Sequence, residues 1–277
     1  VVPVKHSTIG KSRLAATLGT HRPDLAVAMA LDVVLACLQC PGVAAVTVVT
    51  DDPAVAQPAR EAGAAVLADD PGRGLNEALL HGLAATAARH PDAGQVCVAS
   101  DLAAARADEL AVVLAAAADE APMGPVTAIV RDAEGTGTSL LMGTAGVALR
   151  PRYGSASAAA HLHHGAQDLT ALAGPGLRRD VDTVEDLMTA LRLGVGPRTE
   201  QLVRQRLLRP ATVVERTDRA VVLVEESGAR LVAPLPDVLL PPMVEVHPGQ
   251  AVDVLLAADG SVAAVTVPPS SPERTAQ

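Results

Sequence analysis

Between Val1 and Val130 the chain alternates short β-branched runs with longer helical ones, and few fold classes accept that rhythm. VVPV (1–4), VAAVTVVT (43–50), AAVLA (64–68), QVCVAS (95–100) and PVTAIV (125–130) read as strands. Apolar residues recur at helical spacing over 24–40, 53–63, 74–90 and 106–121. Strands alternating with helices at such short intervals build a mostly parallel sheet covered by helices on both faces. Ligands of such sheets bind at the carboxyl ends of the strands, so functional residues are expected just after a strand. The core has to form without large rings, because the chain has no Phe or Trp and a single Tyr, Tyr153. Val, Leu and Ala are left to fill it by close interdigitation.

The texture changes late. RTEQLVRQRLLR (198–209) is expected to be a helix stopped by Pro210. Beyond it ATVVER, AVVLVEE, ARLVAPL, QAVDVLLA and SVAAVTV alternate at period two, with turns at TDR, SG and ADGS. The expectation is an α/β domain over 1–209, a small all-β barrel over 211–267, OB-like or SH3-like, and a flexible tail over 268–277. Residues 211–277 hold nine acidic and four basic residues. A structural or dimer-forming role is expected of the barrel.

The formal net charge is −9 and there are no aromatic stacking platforms, which argues against nucleic-acid binding. Acidity is compatible with phosphorylated small ligands, since Mg²⁺ bridges carboxylates to phosphates. The first residues lack the basic segment and apolar core of a signal peptide. Apolar runs such as 110–118 are too short to span a bilayer, so a soluble cytoplasmic protein with no membrane partner is expected. Cys37 and Cys40 form a lone C-x-x-C within a helical pattern, and they read as small buried hydrophobes, as does Cys97.

Five stretches carry chemistry. KHSTIGKSRL (5–14) lacks a phosphate-binding loop's first glycine, because Lys5 stands where it is required. Yet Lys5 and Lys11 are the only lysines among 22 lysine and arginine residues. Compact ammonium charges after the first strand suit a triphosphate clamp, with Arg13 as a third cation. Two solvated lysines near a terminus are the bland alternative. Asp101 follows a buried strand and reads either as a Mg²⁺ ligand or as an N-cap. Asp180 and Asp182 are two apart on an extended segment, so both carboxylates face one side. They await a metal or the neighbouring Arg178 and Arg179, while Thr183 and Asp186 form a capping box. DAEGTGTSLL (132–141) is either an anion-binding concavity or a hairpin turn. RYGSAS (152–157) offers Gly154, Ser155 and Ser157 at a helix start. His161, His163 and His164 spread over different helix faces and read as solvated or capping residues.

In order and spacing, PVK and GKSRLA near the amino end, GLNEAL (74–79), SDL (100–102), GTGTSLL (135–141), YGSAS with His161, and DVDTVEDL (180–187) resemble one family. It is the 2-phospho-L-lactate guanylyltransferase family of coenzyme F-420 biosynthesis, with its bacterial phosphoenolpyruvate branch. The resemblance covers about residues 1–195 and implies a GT-A-like, Rossmann-type nucleotidyltransferase sheet, similar to molybdenum-cofactor guanylyltransferases. It implies that Lys5, Lys11 and Arg13 contact GTP phosphates, that Asn76 lies near the nucleoside, and that Lys5, Lys11 and Asp101 are catalytic. It further implies that Asp101, Asp180 and Asp182 hold Mg²⁺. Thr136, Thr138, Ser139, Gly154 and Ser157 are then expected to seat the phosphorylated three-carbon acid. The implied reaction transfers GMP from GTP to phosphoenolpyruvate, or alternatively to 2-phospho-L-lactate, and passes the product to the next enzyme of the pathway. Ala103 stands where the family usually has proline, and Tyr153 where Phe is more usual. Another nucleotidyltransferase, acting on a molybdopterin or a sugar phosphate, and a non-catalytic regulatory protein are the rival readings.

Overall fold

The computed structural model describes residues 1–8, 12–69, 74–120, 124–235, 238–239 and 245–266. The expected strands form as β1 (Val2–Pro3), β2 (Thr47–Val49), β3 (Ala65–Leu67), β4 (Gln95–Val98) and β5 (Thr127–Arg131). Helices α1 (Ser12–Leu18), α2 (Arg22–Gln39), α3 (Pro53–Glu61), α4 (Leu75–Arg89) and α5 (Ala107–Glu120) connect them. Local chemistry sets several of these ends. Asp52 caps α3 by accepting the Ala54 N–H at 2.9 Å, and Pro53 fills the first turn, where no N–H is needed.

β1, β2 and β3 pair in parallel. The Val1 amine donates to the Val96 carbonyl at 2.6 Å and the Val98 N–H to the Val1 carbonyl at 3.0 Å. This is the bonding of a parallel pair, and it sets β4 beside β1. The second strand that the hairpin alternative at 132–141 requires, β6 (Thr138–Gly143), lies antiparallel between β4 and β5. The turn at 132–137 is too short for a crossover, so β5 and β6 can only form a hairpin. β7 (Gln167–Asp168) closes the edge in parallel with β5.

The period-two geometry of these strands divides the core in two. Val98, Ala128, Val130, Leu140 and Met142 face α2 and α5, whereas Cys97, Ile129 and Leu141 face α4 and α6 (Ser157–His163). All three cysteines are free and buried, and burial pushes the Cys37 and Cys97 thiols up to about 11. They pack as hydrophobes, in line with the sequence reading.

The expected helix at 198–209 is shorter than its pattern. α7 (Val184–Leu193) is followed by α8 (Pro197–Leu202) and one π-helical turn over Val203–Leu207, and β8 (Leu208–Arg216) starts at once. Pro210 lies inside β8, just before that strand begins to pair with β9 (Ala220–Glu225), so its missing N–H is not needed on that side. With β10 (Arg230–Pro234), β11 (Ala251–Leu256) and β12 (Val262–Thr266) it forms an antiparallel sheet in the order β10-β9-β8-β11-β12. Val213, Val221, Leu223 and Val254 make its own core. Its other face is not independent, since Leu255 and Ala264 are buried in one cluster with Leu14, Leu18, Leu187 and Met188. The expected tail at 268–277 lies outside the described residues.

Candidate active site

Asp101 stands three residues beyond β4, and the segment 180–182 runs beside it: the Val181 N–H donates to the Asp101 carbonyl at 3.2 Å. Val181 is wholly buried, so its two neighbours project the other way, as the extended spacing requires. Carboxylate oxygens of Asp101, Asp180 and Asp182 come within 4.8 Å of one another. Burial, then the charges of Asp101, Glu134 and Asp182, push the Asp180 carboxyl up to about 7. Like charges this close repel one another, and a cation between them would offset that repulsion. An all-oxygen donor set of hard carboxylates fits Mg²⁺ by its chemistry. The two arginines next to the pair are engaged elsewhere: Arg178 donates to the Arg131 and Asp132 carbonyls, and Arg179 bridges Glu134 and Asp186. The capping box of Thr183 and Asp186 forms as expected and starts α7 directly after the acids.

These acids form one wall of a cavity of about 480 Å³ at the carboxyl ends of β1 and β4. That volume is in the range of small-molecule sites, about 300–1,000 Å³. Lys5 lines it, two residues beyond β1. Buried Asp52 accepts the Ser7 N–H at 2.8 Å and so pins the loop that carries Lys5. Thr138 and Ser139 of β6, with Tyr153, Gly154 and Ser157, also line the cavity. The Ser139 hydroxyl is buried and has no hydrogen-bond partner among the described residues, so it is available to a ligand. Gly154 has φ +151°, a conformation that side chains rarely adopt.

The remaining expected residues lie differently. Lys11 falls outside the described residues. Arg13 is exposed on α1 and Thr136 is exposed in the 132–137 turn, and neither lines the cavity. Asn76 does not line it either. Its amide accepts the Tyr153 N–H at 2.8 Å and donates to the Tyr153 carbonyl at 3.0 Å, so it holds the loop that presents Gly154. The concavity read at 132–141 is closed from within. Asp132 accepts the Thr136 and Gly137 N–H groups at 2.9 and 2.7 Å, which is the hairpin alternative, though Gly137 still borders the cavity. The histidine reading holds for exposed His163 and His164 and fails for His161, which is buried with both ring nitrogens bonded. Its four-residue spacing from Ser157, which puts both on one helix face, was the available signal. Ala103, where proline was expected, is buried and its carbonyl accepts the Gly196 N–H at 2.9 Å, so packing holds this turn.

The cavity at the carboxyl edge of the α/β sheet thus brings an acidic trio and a lysine together, the donor types that suit a cation and a phosphorylated ligand. The fold is matched by a protein from Desulfovibrio desulfuricans G20 described as a nucleotide-diphospho-sugar transferase, with TM-score 0.50 and 16% identity over 74% of this chain and 92% of that one. The chain belongs to the family described as "Guanylyl transferase CofC like", which it matches over residues 1–224. A phosphoenolpyruvate guanylyltransferase of Salinispora arenicola is 51% identical over 206 residues, 73% of this chain and 91% of that protein. One from Thermomonospora curvata is 46% identical over 202 residues, 73% and 86% of the two chains. Among the described residues no helix is long and apolar enough to cross a membrane.

Proposed function

We propose that the protein transfers GMP from GTP to phosphoenolpyruvate, releasing pyrophosphate and enolpyruvyl-2-diphospho-5'-guanosine, in coenzyme F-420 biosynthesis. The observation that carries this is the single cavity in which Lys5 and three aspartates face two hydroxyl-bearing segments, in a chain 51% identical to a phosphoenolpyruvate guanylyltransferase. The parallel run of strands, with its charged groups at their carboxyl ends, supports a GT-A-like, Rossmann-type assignment.

The acid's phosphate oxygen attacks the α-phosphorus of GTP. The bond from that phosphorus to the bridging oxygen breaks, and pyrophosphate leaves with the electron pair. The attacking phosphate is ionised at neutral pH, so no general base is needed, and the site's contribution is alignment and charge. Asp101, Asp180 and Asp182 would hold Mg²⁺, which when bound neutralises triphosphate charge. Lys5, with Lys11 and Arg13 of the same amino-terminal segment, supplies positive charge for the triphosphate. Ser139 and the hydrogen-bonded Thr138–Ser157 pair donate to the acid, and Gly154 lets it approach the main chain. Three buried free cysteines accord with a reducing, cytoplasmic setting. We read the product as the substrate of the next enzyme of the pathway, and the C-terminal sheet as a structural or dimer-forming unit.

Incubating the protein with GTP, Mg²⁺ and phosphoenolpyruvate should release pyrophosphate and yield the guanylylated acid by mass spectrometry. Parallel reactions with 2-phospho-L-lactate and with ATP define acceptor and base. Faster turnover of phospholactate, or of ATP, would displace the assignment.

A further inference from the structure

His161 has no part in the reaction as described, yet it touches every segment on the acceptor side of the cavity. Its Nε2 lies 2.9 Å from the Arg152 main-chain N–H, and its Nδ1 lies 3.0 Å from Thr138 Oγ1. Ser157 Oγ lies 3.2 Å from the same Thr138 oxygen. The Tyr153 ring packs edge-on against the imidazole with centroids 5.4 Å apart.

These contacts determine the protons. A main-chain N–H can only donate, so Nε2 must present its lone pair. Burial lowers the His161 pKa and favours the neutral ring, whose one proton then belongs on Nδ1. Nδ1 is therefore a donor and cannot accept the Thr138 proton. Thr138 and Ser157 hold two hydroxyl protons between them, and one of these is used in their mutual hydrogen bond. The other is left for the cavity that both residues line, whichever of the two carries it. We infer that His161 is a positioning residue, whose Nδ1–H tautomer turns the Thr138–Ser157 hydroxyl pair into a fixed donor toward an anionic oxygen of the acid acceptor. With the opposite tautomer, Thr138 would give its proton to the ring and the donor would be lost.

The inference rests on the acceptor reading of this wall, and its first test does not. Long-range ¹H–¹⁵N NMR of the ligand-free full chain, with His161 assigned by substitution, should show a bare Nε2 and a protonated Nδ1 at neutral pH. An Nε2–H tautomer or an imidazolium overturns the inference even if guanylyl transfer is established. The second test is kinetic, with whichever phosphorylated acid the protein turns over. His161→Leu should raise KM for the acid roughly tenfold or more, the worth of a hydrogen bond to a charged group, with KM for GTP within about twofold. His161→Asn, which returns an N–H near the Nδ1 position, should recover most of that loss. In a Thr138→Val background the two His161 variants should no longer differ. Equal rises in both KM values, or Asn performing no better than Leu, would reduce His161 to a structural residue. Should the Leu variant fail to fold, the NMR result and the Asn variant still decide.

Discussion

The two sheets of this molecule are built from the same materials and differ in what their ends carry. Both hide Val, Leu and Ala on alternating positions without a Phe or Trp. At the carboxyl ends of β1 and β4, and along β6, the large sheet gathers Lys5, Asp101, Thr138 and Ser139 with the incoming acids of 180–182. The C-terminal sheet instead turns Leu255 and Ala264 into a cluster with α1 and α7, the helices that flank the amino-terminal loop and follow the acids. Apolar alternation thus makes a scaffold in both cases, and strand position decides whether an edge carries chemistry or supports it.

The sharpest way to break this contrast is at the acids. Asp101→Asn should lower kcat by roughly a thousandfold with thermal unfolding little changed, read by pyrophosphate release and calorimetry. A fully active variant would move the site elsewhere. In the supporting sheet, Leu255→Ala should do the reverse, costing about 2–5 kcal/mol of stability in denaturant titration while kcat of the folded fraction holds. If its kcat fell as far as that of Asp101→Asn, the division between chemistry and support would be wrong.

A smaller effect is expected where scaffold meets site. Asn76→Ala frees the Tyr153 main chain and should raise KM for the acid roughly tenfold, leaving KM for GTP nearly unchanged. A selective rise in the GTP value would instead return Asn76 to the nucleotide. Tyr153→Phe removes a buried hydroxyl that has no partner among the described residues, so it should stabilise the protein by about 1 kcal/mol, a rise in Tm of a few degrees.

The smallest effect is a pH dependence. Burial lowers the His161 pKa below its unfolded value of about 6.5, so the unfolded chain takes up the proton first as pH falls. The stability linked to a neutral His161 is complete above that pH and is lost below it. Between pH 7.5 and 5.5 the Tm of the wild type should fall more steeply than that of His161→Asn. Parallel curves would remove the linkage.

Much of the scaffold was legible because its causes are local. Alternation at period two gave the strands their buried faces, and the same geometry placed Asp180 and Asp182 on one side with Val181 turned inward. The Thr183–Asp186 capping box needed only four residues of chain. The helix read at 198–209 shows where local reasoning stops, since cross-strand pairing of Leu208 with Leu255 draws that segment into β8.

What only the tertiary structure decided is which distant groups meet. Asp101 joins a pair some eighty residues later through a main-chain bond from Val181, and Asn76 meets Tyr153 across 77 positions. Asp132 closes the turn that the glycine pattern left open, and His161 is buried among three segments while its neighbours stay in water. Spacing along a chain sets the direction in which a side chain leaves its own element. Whether it finds an anion, a carbonyl or solvent depends on the element packed opposite, which no local period records.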